Sequence, residues 1–197
     1  MILYSHRLYS LVAPALGIFE RSNPPRQVEG LSSPSQKNVD VIVFGLGRYG
    51  GTILKLLRDR GLKVLGVDFS PIAVRRWSEE GVDTLYGDIV DPEFIASLSF
   101  HGVRWVVCAI PEHDLGLAQA DPRVDLVQAL RAGGYTQGIA VAATRDKSVT
   151  RLQKAGADLV DMPFRDAAVQ AVGLLMGERP RSEIEIIEPE EQRELAL

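Results

Sequence analysis

Three glycines and one aspartate set the chemistry open to this sequence. Gly45, Gly47 and Gly50 fall in Val41-Ile42-Val43-Phe44-Gly45-Leu46-Gly47-Arg48-Tyr49-Gly50, a G-x-G-x-x-G turn between an apolar run and a helical pattern. In such a turn the first glycine permits a tight reversal and the second lets a phosphate approach the backbone. The third lets the helix close on the strand. The helix that follows directs free N–H groups and the positive end of its dipole at an anion, so Leu46, Arg48 and Tyr49 join the glycines as candidate cofactor-binding residues. Asp68 ends the next apolar run about 20 residues beyond Gly47, where a carboxylate can hold ribose hydroxyls. Its charge repels a 2′-phosphate, and Phe69 rather than an arginine follows it, so NAD(H) or an adenine mononucleotide such as AMP is favoured over NADP. The competing reading makes Asp68 a cap for the next helix.

The elements that must position these residues alternate. After the turn, Ile53, Leu54, Leu56 and Leu57 are expected on the inner side of a helix that stops at Gly61. Ser70-Pro71, Asp91-Pro92 and Asp121-Pro122 each pair a capping side chain with a proline at the first helical position. Strands are predicted over 62–68, 82–86, 103–110, 139–143 and 157–160. Further helices are predicted over 148–155 and, as a last amphipathic element, 165–176. The result is an α/β fold: a doubly wound, Rossmann-like parallel sheet of six strands with helices on both faces. Strand 103–110, nearly all apolar, reads as covered on both faces, and Trp77 and Trp105 read as core. Ligands bind at the carboxyl ends of such strands. Those ends are Gly45–Gly50, Asp68-Phe69, Gly87-Asp88-Ile89, Ala109-Ile110 and Thr144-Arg145, and the first four are expected to border one crevice. Asp88 is either an acceptor for an adenine amino group or a turn aspartate.

The 197 residues are divided by composition into an apolar, aromatic start (1–20), a Pro/Ser-rich linker (21–38), the α/β domain (39–177) and an acidic tail (178–197). The start reads as a membrane-proximal interfacial segment, interrupted by His6, Arg7 and Pro14. The net charge of −4 lies in the tail, which holds seven acidic and three basic side chains; the remainder carries 19 of each sign. No broad basic face follows from that balance, which argues against a nucleic-acid partner. The single cysteine, Cys108, excludes an intrachain disulfide and reads as a small buried hydrophobe. An oxidoreductase would need a proton donor or acceptor beside a nicotinamide. No tyrosine has a lysine four residues on, and His113, between Glu112 and Asp114, is the one histidine well placed to act. The chain is therefore expected not to be an enzyme; the alternatives are an NAD-dependent oxidoreductase and a dimerisation scaffold without ligand.

The joint order of motifs resembles the TrkA-N domain, also called RCK or KTN. It runs from the glycine turn through Val67-Asp68, Tyr86-Gly87-Asp88 with Asp91-Pro92-Glu93, and Arg145-Asp146, to Ala155-Gly156-Ala157-Asp158. Residues 1–21 resemble the end of the last membrane helix of Kef-type cation:proton antiporters. The resemblance implies a cytoplasmic regulatory domain at the inner face of the membrane that binds NAD(H), AMP or a similar nucleotide and controls monovalent-cation (K⁺) flux through a transporter domain in cis or trans. It implies that Gly45, Gly47 and Gly50 form the phosphate turn and that Asp68 holds the ribose. Asp88 with Gly87 would meet the adenine, Ala109-Ile110 would line the crevice, and Arg145 would lie near a dimer-side ligand cleft. The last helix would form a homodimer. Residues 142–146 lack an additional arginine common in Kef proteins, so glutathione control is not expected. No carboxyl-terminal RCK subdomain is recognised after residue 177, so a large gating ring is not expected either.

Overall fold

The computed structural model describes residues 38–111 and 121–178. The apolar start, the linker up to residue 37, His113 with its acidic neighbours, and the tail after Glu178 lie outside the described residues. Six strands, β1 (Val41–Phe44), β2 (Val64–Asp68), β3 (Asp83–Tyr86), β4 (Trp105–Cys108), β5 (Gly138–Ala142) and β6 (Leu159–Asp161), form one parallel sheet in the order β3-β2-β1-β4-β5-β6. In chain order the helices are α1 (Arg48–Asp59), α2 (Pro71–Glu79), α3 (Pro92–Ser97), α4 (Pro122–Ala132), α5 (Asp146–Ala155) and α6 (Pro163–Leu175). Phe44 pairs with Val67 on one side and Cys108 on the other, so β1, β2 and β4 end almost level. The chain leaves β1 towards β2, while β4 lies on the opposite flank, and this topological switch opens a crevice between their carboxyl ends.

The two faces of β1 enter different cores, as a strand period of two requires. Ile42 and Phe44 join a large cluster with residues of α3, α4 and α5, including Ile95, Leu126, Val127 and Leu152. Val41 and Val43 join a smaller cluster with Leu54 of α1 and Trp77 of α2. The cap-and-proline pairs work as expected. Ser70 Oγ accepts from Ala73 N–H, Asp91 from Glu93 and Phe94 N–H, and Asp121 from Arg123 N–H. Among the described residues, no helix is long and apolar enough to cross a membrane.

Several expectations are corrected. The fourth strand is Trp105–Cys108 rather than 103–110, and the sixth lies at Leu159–Asp161 rather than 157–160. The second, third and fifth begin or end one or two residues from the expected bounds, whereas α5 and α6 each begin two residues earlier. Leu56 is 49% exposed, because the inner stripe of α1 runs through Gly50, Gly51 and Leu54. Trp105 is 40% exposed and not core. The cause is a half-covered sheet: α1 and α2 cover β1 and β2, but no described helix of the chain covers the same face of β4 to β6. An apolar groove of about 500 Å³ remains there, with Trp105, Val107, Ala140 and Leu159 along the strands and Ile53 and Leu57 on its rim. Helix α6 has no buried residue, and Phe164, Val169, Val172, Leu175 and Met176 at its end stay exposed.

The fully buried Leu54 and the half-exposed Leu56 give a direct check of this packing. Leu54→Ala is expected to cost about 2–5 kcal/mol through lost burial and the cavity left behind. Leu56→Ala is expected to stay within about 0.5 kcal/mol. Urea unfolding of the two variants measures both.

Candidate functional site

The glycine turn is shaped by what its glycines lack. Gly45 has φ +87°, a left-handed conformation that glycine adopts without strain, and a β-carbon there would press on Ile110 and Ala109. A β-carbon on Gly50 would fall on the Gly45 carbonyl oxygen, so the first turn of α1 rests directly on the turn backbone. Gly51 leaves room for the Trp77 ring, whose Nε1–H donates to the Leu46 carbonyl at 3.2 Å. Gly47 differs. Its φ of −66° suits any residue, and a β-carbon there would meet no atom within 4 Å. Gly47 is the N-cap of α1 and offers no side chain to the helix amides, in contrast to Ser70, Asp91 and Asp121.

Asp68 ties this turn to the sheet. Its Oδ2 accepts from Leu46 N–H at 2.6 Å and its Oδ1 from Ser70 N–H at 2.7 Å. A carboxylate has about four lone-pair sites, so each oxygen retains acceptor capacity beyond the bond it takes here. Asp68 thus braces the start of α2, whose N-cap is Ser70, and also borders the cavity. Asp88 Oδ1 accepts from Val90 N–H at 3.0 Å, an aspartate turn, and Asp88 borders the cavity as well. Gly87 leaves space for the Phe94 ring.

A crevice of about 860 Å³ opens over the ends of β1, β2, β4 and β5, a size suited to a nucleotide-sized ligand. It gathers Gly45, Gly47, Arg48, Tyr49, Asp68, Phe69, Gly87, Asp88, Ile89, Ala109 and Ile110. Three expected residues are not on its lining. The Leu46 side chain is buried towards Gly66 and Leu54, Gly50 sits beneath Gly45, and Arg145 is the N-cap of α5. Lining residues that were not expected include Ala142, Ala143 and Thr144 at the end of β5, Ser70 and Ala73 at the head of α2, and Pro163, Phe164 and Ala167 of α6. The Pro163-Phe164 step shortly after the last strand is a sequence signal that would have pointed to the α6 residues.

Beneath the β5 side lies a buried ion pair. Arg123, 1% exposed, donates to both oxygens of Asp121 (2.9 and 2.6 Å) and to the Ala142 carbonyl at 2.8 Å. It thereby anchors the head of α4 to the strand end that lines the crevice. Burial pushes the Asp121 carboxyl up, but the hydrogen bonds and charge of Arg123 outweigh it and hold the group below its ordinary range. Burial pushes the Cys108 thiol up to about 11, which makes it a poor nucleophile and agrees with a structural role.

The family model of the TrkA-N domain matches residues 41–163, more than half of the chain, and the chain belongs to that family. Among individual proteins it is similar to Ktr system potassium uptake protein C of Bacillus subtilis, 32% identical over 126 residues, which cover 64% of this chain and 54% of the relative. The chain thus spans about half the length of that relative. Among solved structures, it resembles the NAD(P)-binding domain of an exopolyphosphatase-related protein from Archaeoglobus fulgidus (27% identity, TM-score 0.59, covering 71% of this chain and 98% of that one). The TrkA-N domain of the inner membrane protein ybaL from Escherichia coli shares the fold at 22% identity and a TM-score of 0.60, covering 69% of this chain and 96% of that one.

Two outcomes follow from the site geometry. Gly50→Ala is expected to destabilise the domain by about 1–3 kcal/mol or more, because backbone rather than a flexible side chain must yield; a urea midpoint checks it. Asp121, with its folded value below the ordinary value of about 3.9, adds stability that is fully present above that value and is lost as pH falls through the lowered one. Asp121→Asn should flatten the acid limb of a stability–pH curve.

Proposed function

We propose that this chain is a nucleotide-sensing regulatory domain of a potassium or other monovalent-cation transport system, and that it takes NAD(H) or an adenine nucleotide of the AMP or ADP type. The observation that carries the reading is Gly47. Gly45, Gly50 and Gly51 are each required by the protein's own packing, whereas the open side of Gly47 faces the crevice at an uncapped helix head beside Arg48. A phosphate is the ligand group that makes use of such a gap. The turn Gly45–Gly50 would hold the phosphates and the free acceptor sites of Asp68 the ribose hydroxyls. Gly87, Asp88 and Ile89 would border the base, and the charge of Asp68 would disfavour a 2′-phosphate. The similarity to a Ktr potassium uptake protein and to an NAD(P)-binding domain supports the transport and ligand classes.

Binding rather than turnover is the favoured role. The described lining holds no histidine, lysine or cysteine, and its one tyrosine donates its hydroxyl to Asp161. The exposed apolar residues of α6 and the uncovered groove over β4 to β6 support a homodimer formed through α6. Ligand would act by favouring one arrangement of the dimer over another, a coupling of typically about 1–3 kcal/mol, passed to a membrane transporter in cis or trans from the cytoplasmic side. Arg145 would face the ligand cleft only from the dimer side.

The test is a thermal-shift titration of the full chain with AMP, ADP, NAD, NADH and NADPH, beside Gly47→Ser. A ligand at about 100 times its dissociation constant adds roughly 2.7 kcal/mol. Serine is a preferred N-cap, so the variant should fold at least as stably as the parent while its side chain takes the phosphate space. Stabilisation by NAD(H), AMP or ADP, weaker with NADPH and lost in Gly47→Ser, is the expected result. An unchanged melting temperature with all five compounds would sink the nucleotide reading.

A further inference from the structure

A second cavity, of about 800 Å³, opens at the amino ends of β4 and β5, between α3 and the last turn of α4. It shares no lining residue with the crevice, and its size is that of a small-molecule site. Its floor is apolar. Ile95, Leu98, Leu130 and Tyr135 are buried members of the large core, and the Phe100 ring packs on that of Tyr135 with centroids 5.6 Å apart. The Tyr135 hydroxyl donates to the carbonyls of Val103 and Gly138, both at 3.4 Å, so this ring offers the cavity its apolar body. The other polar side chains of the lining are Arg104, Thr136 and Gln137, and only Arg104 carries a charge. Arg104 directly precedes β4, in phase with Val106 and Cys108, which enter the large core, and out of phase with Trp105, which borders the groove. That alternation directs its side chain to the cavity side of the sheet. Its Nε lies 3.6 Å from Oδ1 of Asp40, whose other oxygen accepts from Lys63 N–H at 2.9 Å. Among the described residues the Arg104 side chain donates no hydrogen bond, so its terminal nitrogens keep their donors.

We infer that this cavity is a second ligand site, separate from the crevice, and that it takes a monocarboxylate with an apolar body. Arg104 receives the carboxylate, since a guanidinium presents paired N–H groups that match two carboxylate oxygens. The apolar body covers Leu98, Phe100 and Leu130. One cation balances one negative charge. The carboxyl end of α4 lies beside the cavity at Gly133, and the negative end of a helix dipole disfavours a polyanion. A nucleotide or a sugar phosphate is therefore the poorer fit here, in contrast to the crevice, where a glycine turn and a helix head border the cavity. A cationic ligand fits no better, because the lining holds no carboxylate and Arg104 repels it. Asp40 holds the guanidinium at the mouth from outside the lining. The inference stands independently of the nucleotide reading.

The test is a titration of the full chain with cinnamate, beside its uncharged counterpart cinnamyl alcohol. The readout is the amide resonances of Gly102, Gly134 and Thr136 in nitrogen–proton correlation spectra. Saturable shifts are expected with cinnamate, at a dissociation constant of about 1 mM or below. The alcohol forfeits the charged hydrogen bonds and should bind at least about tenfold more weakly. Arg104→Gln should bring the two affinities together, whereas Arg104→Lys, which keeps the charge without the fork, should retain part of the preference. Loss of the Asp40 pair alone would change stability and leave the acid-to-alcohol ratio as in the parent. Ala129→Phe puts a ring into the cavity from an exposed position of α4 and should abolish binding of both compounds, with the melting temperature reporting that the variant is folded. Equal affinity for acid and alcohol in the parent overturns the inference, as does an Arg104→Gln variant that keeps the parental preference. So does the absence of saturable shifts at these amides.

Discussion

One carboxylate holds the carboxyl end of the sheet together. Asp68 sits where β2 ends, and its two oxygens take the N–H of Leu46 in the glycine turn and the N–H of Ser70 at the head of α2. The parallel pairing of β1 with β2 brings these groups within reach, since Phe44 and Val67 are register partners. Leaving a buried N–H without an acceptor costs on the order of 1–3 kcal/mol. The turn geometry, the start of α2 and the shape of the crevice therefore depend on the same side chain that the ligand would meet. Removing Asp68 would disturb the turn and the head of α2 together, whereas a side chain added at Gly47 would meet no atom within 4 Å.

The sheet is finished on one face and half finished on the other. Helices α3 to α5 close the large core, whereas α1 and α2 cover only β1 to β3 on the opposite face. In a doubly wound fold the helix after the last strand is the element available to cover the remaining half. Here α6 buries none of its residues. An exposed apolar helix and an exposed apolar groove lie on one chain, and these two surfaces are the support for the homodimer proposed above.

The crevice stands between these two regions. Its floor is the rigid sheet edge, braced by the buried Arg123–Asp121 pair, and its far wall is the first turn of the least buried helix. A ligand held by the floor and touching the wall has differential contact with any arrangement in which α6 moves, and a population shift requires that difference. The hydrogen bond from Tyr49 to Asp161 runs beside the same boundary, joining the head of α1 to the carboxyl end of β6 just before α6 begins.

Short-range chemistry determined what could be read without coordinates. The G-x-G-x-x-G turn, Asp68 and the three cap-and-proline pairs are local patterns whose meaning lies within a few residues, and they led to the parallel six-stranded sheet and to 11 residues that now border one crevice. Tertiary structure decided the rest. Leu56 and Trp105 carry apolar side chains that periodicity assigns to the interior, but whether a face is covered depends on where distant helices pack. Ala142, Pro163 and Phe164 reach the crevice only because β5 and the chain beyond β6 return to it in space. The Asp161 carboxyl meets a tyrosine 112 positions earlier. No spacing rule links residues so far apart; the sheet order brings them together.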